Sequence, residues 1–225
     1  MEFWHHRWHS QKIGWHRKIY NDLLLKHWSK INATEGGNVF VPLCGKSLDM
    51  LWLAEQGHTI VGLEMVPQAI ESFFIENQFH FDIVEFGKHR KYSSQPFTIF
   101  QGDFFDISTG LIQADAWYDR AALIAIDPSN RKEYVNQISK QTKSGAVGLL
   151  ITFAYPQEQM QGPPFALQDH TVRDLFSDGF ELELLEKIFL EDEKERGLTN
   201  ISSCLLYTSD AADEGLGVDL GGRRI

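Results

Sequence analysis

Short apolar runs alternate along this chain with longer stretches whose apolar residues fall at helical spacing. The first long stretch, residues 10–31, carries Ile13, Ile19, Tyr20, Leu23, Leu24 and Trp28 among polar positions and predicts an amphipathic helix, or two short ones. The turn cluster Asn32-Ala33-Thr34-Glu35-Gly36-Gly37-Asn38 ends it. A strand over 39–41 follows, then a helix over 47–56 with Ser47 as N-cap and Gly57 just past its end. Residues 59–64 read as the second strand. Pro67 opens a helix carrying Ala69, Ile70, Phe73 and Phe74. An inserted hairpin or loop is expected over 81–92, and further strands over 97–101, 114–118 and 147–152. The helix between the last two runs from about Pro128 to Gly145. A Gly-Pro-Pro loop at Gly162 precedes a helix over 169–176 and a strand over 182–189, and 201–208 stands in for a last strand.

Strands separated by helices imply an α/β fold: a single doubly wound, mainly parallel sheet, Rossmann-like, with helices on both faces. The segment before the first strand is left over as an amino-terminal helical cover, about residues 1–35. In such sheets ligands bind beyond the carboxyl ends of the strands, where strand order reverses. Residues just after each strand are therefore the candidates for chemistry. From Asp210 onward the sequence is small, acidic and glycine-rich, without period. The stretch from Leu205 to Glu214 resembles translated sequencing-adapter read-through. One domain over 1–209 is expected, followed by a disordered or artefactual tail over 210–225, with the native carboxyl terminus missing.

Composition narrows the function. At 43% hydrophobic and 23% charged residues, ordinary globular usage, the chain reads as neither disordered nor membrane-embedded. A formal charge of −10 repels phosphate backbones, which argues against a nucleic-acid partner but not against a cationic cofactor. No apolar run approaches the roughly 20 residues needed to span a bilayer, and the start, Met1-Glu2-Phe3-Trp4-His5-His6-Arg7-Trp8-His9, lacks signal-peptide character. Two cysteines, Cys44 and Cys204, do not make a disulfide framework. A cytoplasmic, monomeric protein is expected.

Four post-strand segments carry candidate chemistry. Val41-Pro42-Leu43-Cys44-Gly45-Lys46-Ser47 is not a P-loop, because Phe40 stands where that motif needs its first glycine. A tight turn with one glycine remains, which lets backbone approach a ligand or serves structure alone. Glu64 ends the second strand about where nucleotide folds place a ribose-binding acid; capping the helix at Pro67 is its other reading. Gly102-Asp103-Phe104-Phe105 follows the third strand and suits an adenine edge, or a turn with core phenylalanines. Tyr118-Asp119-Arg120-Ala121-Ala122-Leu123 closes the fourth strand, where Asp119 and Arg120 either floor a site or pair with each other. His5, His6, His9 and His16 lack interleaved cysteine or acid, so no metal is expected, and the neighbouring tryptophans suit a flexible aromatic lid.

Together with Gly57-His58, Gly62 and Gly162-Pro163-Pro164-Phe165, these segments resemble the bacterial branch of the thiopurine S-methyltransferase family, in family order and spacing over residues 1 to about 200. The resemblance implies S-adenosylmethionine (SAM) as cofactor. It places Trp8, Leu43, Glu64 and Arg120 against SAM, with Glu64 on the ribose and Gly102 and Asp103 on the adenine side. The substrate, a small aromatic thiol, would meet Trp15, Arg120, Phe165 and Arg196. Trp15 is a departure, since the family has phenylalanine in the block matching Ile13-Gly14-Trp15-His16. The implied reaction is in-line methyl transfer to a thiolate, with proximity and desolvation doing the work and no catalytic side chain. Competing readings are a thiol, halide, selenium or tellurium methyltransferase on smaller acceptors, a non-catalytic SAM-binding module, and a nicotinamide-dependent oxidoreductase.

Overall fold

Side-chain alternation along the first strand sets the layering. The computed structural model describes residues 2–190, 198–199 and 201–210. In β1 (Asn38–Pro42), Val39 and Val41 join the apolar cluster on one sheet face, and Phe40 joins the cluster on the other. β2 (Thr59–Glu64) repeats this, with Ile60 on the first face and Val61 and Leu63 on the second. Both faces are therefore buried, as a doubly wound sheet requires. On the first face pack α2 (Asp22–His27), α3 (Asp49–Glu55) and α4 (Pro67–Glu76), through Leu24, Met50, Leu53, Ile70 and Phe73. On the second pack α5 (Arg131–Gln141) and α6 (Asp169–Phe176), through Tyr134, Ile138, Val172 and Phe176.

The remaining strands are β3 (Asp82–Phe86), β4 (His89–Ser94), β5 (Phe97–Gln101), β6 (Ala114–Arg120), β7 (Thr142–Ile151), β8 (Phe180–Phe189) and β9 (Ser202–Asp210). Across the sheet the order is β3-β4-β5-β2-β1-β6-β7-β9-β8. The five strands from β5 to β7 are parallel, and the pairs outside them are antiparallel. On one side of β1 the chain lays β2, crosses to the edge at β3 and comes back through β4 to β5, then returns to lay β6 against the other side of β1. Strand order thus reverses between β1 and β6.

The first three strands lie where the apolar runs place them. β6 continues two residues further than expected, so Asp119 and Arg120 are strand residues. The inserted segment is a hairpin, β3 and β4. The helix expected from Pro128 to Gly145 is a 3-10 turn (Pro128–Asn130) followed by α5, which stops at Gln141 because Thr142 turns extended and its hydroxyl donates to the Ile138 carbonyl at 3.1 Å. Ser47 does not cap a helix beginning beside it: α3 starts at Asp49 behind Leu48, and the Ser47 hydroxyl accepts from the Asp49 N–H at 3.3 Å. β9 lies between β7 and β8 and runs through Asp210, with Leu205 and Leu206 buried.

The amino-terminal cover differs most from expectation. Residues 10–31 are not one helix. α1 (Glu2–His9) lies before them, and only α2 and a 3-10 turn (Trp28–Lys30) fall within them. Asn21 starts α2, its side-chain oxygen accepting from the Leu23 and Leu24 N–H groups. Gln11 sits at φ 55, a left-handed break just after α1. The periodic apolar residues separate accordingly: Leu23, Leu24 and Trp28 are buried in the core, Ile13 joins a tryptophan cluster, and Ile19 is 60% exposed. That cluster contains Trp4, Trp8 and Trp15, the last meeting the other two edge-to-face at 5.3 and 6.1 Å. The Arg7 guanidinium lies 5.4 Å over the Trp15 ring. Trp8 also packs on Val66 and Ala69, which fastens the cover to the start of α4.

Candidate functional site

Beyond the carboxyl ends of β1, β2, β5 and β6 the chain encloses a cavity of about 600 Å³, a usual size for a small-molecule site. Its floor is the switch point. The residues that follow β1 are Leu43, Cys44, Gly45, Lys46 and Ser47; β2 contributes Glu64 and Met65, β5 Gly102 to Phe105, and β6 Arg120 and Ala121. The cover closes one side with Phe3, Trp4, Trp8, Trp15 and His16. Asp127, Asn130, Pro163 and Phe165 close the other. Trp8, Leu43, Glu64, Gly102, Asp103, Arg120, Trp15 and Phe165 therefore all line one space. Arg196 lies outside the described residues.

Local backbone explains the shape. Leu43 (φ 46) and Ala121 (φ 67) each occupy the left-handed region just after a parallel strand. Non-glycine residues there carry strain, and such strain concentrates at binding sites. Gly45 (φ 54) completes the first turn, and a Cβ on it would lie 3.1 Å from the Trp8 ring. Gly62 makes room for that turn from below, since a Cβ there would lie 2.8 Å from the Cys44 sulfur. Cys44 itself is buried, and burial pushes its thiol pKa well up, so it is no nucleophile.

Glu64 is 6% exposed and ties two turns together. Oε2 accepts from the Gly45 N–H at 2.9 Å and Oε1 from the Val66 N–H at 2.8 Å. Burial raises its pKa against the pull of those N–H groups. The two carboxylate oxygens offer about four acceptor positions, so two remain for a ligand. The helix-capping role and a ligand role are thus compatible. Asp103 is similar: Oδ1 accepts from the Phe105 N–H at 2.9 Å, opening a short 3-10 turn. Phe104 is buried in the core, stacked on Tyr134 at 4.6 Å, and Phe105 is half-buried beside it; both reach the cavity wall.

Asp119 and Arg120 do not pair, because consecutive strand residues point to opposite faces. Arg120 turns toward α3. Its Nε donates to Asp49 Oδ2 at 2.6 Å, Nη1 to the Trp15 carbonyl at 3.1 Å and Nη2 to the Ser47 hydroxyl at 3.0 Å. Burial opposes the guanidinium charge, but Asp49 and Tyr118 more than offset it, and the pKa is raised. Asp49 also accepts from the Tyr118 hydroxyl at 3.0 Å and the Asn21 N–H at 2.8 Å. One buried carboxylate thereby joins the cover, α3 and the site arginine. Asp49 is the main residue that sequence reasoning overlooked; an acid between the buried Met50 and the glycine turn was the available signal.

Asp119 faces α5 instead. It is 1% exposed and accepts from the Ala122 and Leu123 N–H groups and from the Tyr134 hydroxyl at 2.8 Å. Burial outweighs these donors and raises its pKa from 3.8 to about 6. A carboxyl so shifted favours the fold when protonated. Its contribution is fully present below pH 3.8 and is lost as pH rises through about 6, a change of about 3 kcal/mol. Urea unfolding at pH 4, 5, 6 and 7 should show Asp119→Asn gaining stability relative to the parent over that window. A difference that does not vary with pH would refute the assignment.

Among the described residues no group of three or more histidine, cysteine, aspartate or glutamate side chains is arranged to hold a metal. His5, His6 and His9 line a separate depression with Val66, Pro67 and Gln68. No helix of the described residues is long and apolar enough to cross a membrane.

Comparison with known proteins gives a consistent result. The model of the family described as "Thiopurine S-methyltransferase (TPMT)" matches residues 1–206. A thiopurine S-methyltransferase of Shewanella baltica (strain OS223) is 45% identical over 184 residues, covering 81% of this chain and 84% of that protein. One from Shewanella pealeana is 41% identical over 195 residues, covering 86% and 89%. Among solved structures, a SAM-dependent methyltransferase of Methanosarcina mazei superposes with a TM-score of 0.64 at 14% identity, covering 87% of this chain and all of that one. The 1,6-didemethyltoxoflavin-N1-methyltransferase of Burkholderia thailandensis, solved with bound 1,6-didemethyltoxoflavin and S-adenosylhomocysteine, gives 0.62 at 11% identity, covering 93% and 86%.

Proposed function

The chain belongs to the thiopurine S-methyltransferase family and is a SAM-dependent methyltransferase, and from that premise we propose that its acceptor is the thiolate sulfur of a small aromatic or heterocyclic compound. One observation supports this most: a single buried carboxylate, Glu64, faces a cavity whose other walls include Trp4, Trp8, Trp15, Phe105 and Phe165. The residues present fit the cofactor. Glu64 has lone pairs left for ribose hydroxyls, the Gly45 turn brings backbone to the cavity wall, and indole faces suit a cationic sulfur. No glycine-rich cradle for a pyrophosphate accompanies them.

When bound, SAM supplies a methyl carbon on a cationic sulfur, which the acceptor sulfur takes in one in-line displacement. In this reading Glu64 grips the ribose, Leu43 lies against the cofactor at the first turn, and Gly102 and Asp103 border the adenine. Trp8 closes the cover side. An anionic nucleophile meeting a cation loses charge on the way to the transition state. Strong solvation would therefore favour the reactants, and an aromatic, water-poor wall is the better environment. Arg120 uses three of its five N–H groups on Asp49, Trp15 and Ser47. Two remain to hold the acceptor, and Asp49 balances the charge, so Arg120 orients the thiolate without trapping it. Trp15 and Phe165 sandwich the acceptor from opposite sides of the cavity.

Calorimetric titration with S-adenosylhomocysteine, followed by methyl-labelled SAM and a panel of acceptors, tests this reading. Label should pass most readily to aromatic thiols, ahead of iodide and selenite. Binding of S-adenosylhomocysteine without transfer to any thiol would refute it.

A further inference from the structure

Of the ionisable side chains around the cavity, all but His16 and the buried thiol of Cys44 hold at least one hydrogen bond within the protein. Glu64 holds two backbone N–H groups, and Asp103 holds the Phe105 N–H. Asp127 accepts from the Ser129 N–H and hydroxyl, which hold its pKa down. Lys46 is paired with Glu76 at 2.6 Å, and Tyr118 and Arg120 are both bound to Asp49. The His16 ring lines the cavity, half-buried, with no hydrogen-bond partner among the described residues. Its position is nevertheless fixed on both sides. The His16 N–H donates to the Ile13 carbonyl at 2.8 Å, and the preceding carbonyl, that of Trp15, is held by Arg120.

We propose that His16 is a general base that takes the proton from acceptor thiols too weakly acidic to arrive as thiolates. The proposal rests on the S-methyl transfer reading above and widens its substrate class from acidic aromatic thiols to alkyl and arylalkyl thiols. An imidazole nitrogen accepts the S–H proton. The sulfur's freed electron pair forms the new S–CH₃ bond, while the bond from methyl to the cofactor sulfur breaks with its pair staying on that sulfur. The products are a methyl thioether, S-adenosylhomocysteine and a proton on His16, which then passes to water.

The charges facing His16 suit a base. Lys46 from the glycine turn and Arg120 from β6 disfavour the imidazolium, and Glu76 of α4 and Asp49 of α3 partly offset them. Burial is the largest influence, and the ring's pKa lies below its usual 6.5, so it is neutral at pH 7. A neutral imidazole also adds no repulsion to a bound sulfonium.

The test compares two acceptors in the parent and in His16→Gln. 4-Nitrobenzenethiol is ionised at neutral pH, whereas benzyl mercaptan, an alkyl thiol, is about 3% ionised at pH 7 if its pKa is about 8.5. His16→Gln should lose roughly tenfold or more in turnover of the second acceptor relative to the first at pH 7, the effect of losing general-base assistance in the transition state. Between pH 7 and 8.5 the parent rate on benzyl mercaptan should change little, and the variant's should rise about 16-fold with thiol ionisation. A readout apart from turnover is the His16 ring C2–H resonance, identified by its absence from His16→Gln. Its titration, below pH 6.5 in the free protein, should move when benzyl mercaptan and S-adenosylhomocysteine are bound. Equal losses on both acceptors, or identical pH profiles, would overturn the role of His16 while leaving S-methyl transfer standing. A parent enzyme that methylates neither thiol would overturn both.

Discussion

Asp49→Ala should cost about 3–5 kcal/mol of folding stability, the loss usual when one partner of a buried ion pair is removed. The Asp49 side chain is 2% exposed and that of Arg120 13%, and they meet at 2.6 Å. Truncation leaves the guanidinium buried without a counter-charge and the Tyr118 hydroxyl and Asn21 N–H without their acceptor. Urea unfolding should show the midpoint falling at nearly unchanged slope. Indole fluorescence should shift to the red as well, because Asp49 holds the cover at Asn21 directly and at Trp15 through Arg120. The double variant Asp49→Leu/Arg120→Met separates lost pairing from stranded charge. It should recover much of the deficit, since well-packed apolar replacements of a buried pair are often near neutral. A loss below 1 kcal/mol for Asp49→Ala would mean that the cover is held by its tryptophan cluster alone.

The parallel strands were legible because buried runs such as residues 59–64 and 97–101 are bounded by turn residues, and a sheet buried on both faces needs nothing else to specify it. That Glu64, Arg120 and the turn after β1 would line one cavity was legible for a related reason: the switch-point rule sends attention to strand ends. What that rule omits is which face each residue serves. Asp119 and Arg120 look like a pair in sequence, yet alternation sends one to Tyr134 and the other to Asp49. Asp49 escaped notice because it lies inside a helix, where its buried direction depends on how α3 packs. Of the two readings of residues 10–31, one helix or two short ones, the second is nearer, and the extent of the short pieces was hidden for a different reason. The cover's apolar residues serve two separate clusters, Ile13 that of the tryptophans and Leu23, Leu24 and Trp28 that of the core, and the combined spacing imitates one helix.

Glu64→Ala should weaken binding of S-adenosylhomocysteine by roughly 10²- to 10⁴-fold in calorimetry. Two ribose hydroxyls donating to a charged carboxylate are worth about 1.5–3 kcal/mol each, or about 3–6 kcal/mol together. The same side chain shapes the turn it sits beneath, since the Gly45 and Val66 N–H groups lose their acceptor with it. Glu64→Gln is no neutral control. Each carboxylate oxygen faces a different backbone N–H, so an amide must turn its NH₂ group toward one of them and leave two donors opposed. Affinity in Glu64→Gln should therefore fall nearly as far as in the alanine variant. Glu64→Asp keeps the charge but draws it back by one methylene, and it should fall between them and the parent. The thermal midpoint of each variant without ligand shows whether the fold survives. If folded Glu64→Ala bound S-adenosylhomocysteine within threefold of the parent, the carboxylate would be a turn-capping group only. The ribose would then have to be held by another polar group on the cavity wall, with Asp103, whose second oxygen has no partner among the described residues, the first to be changed.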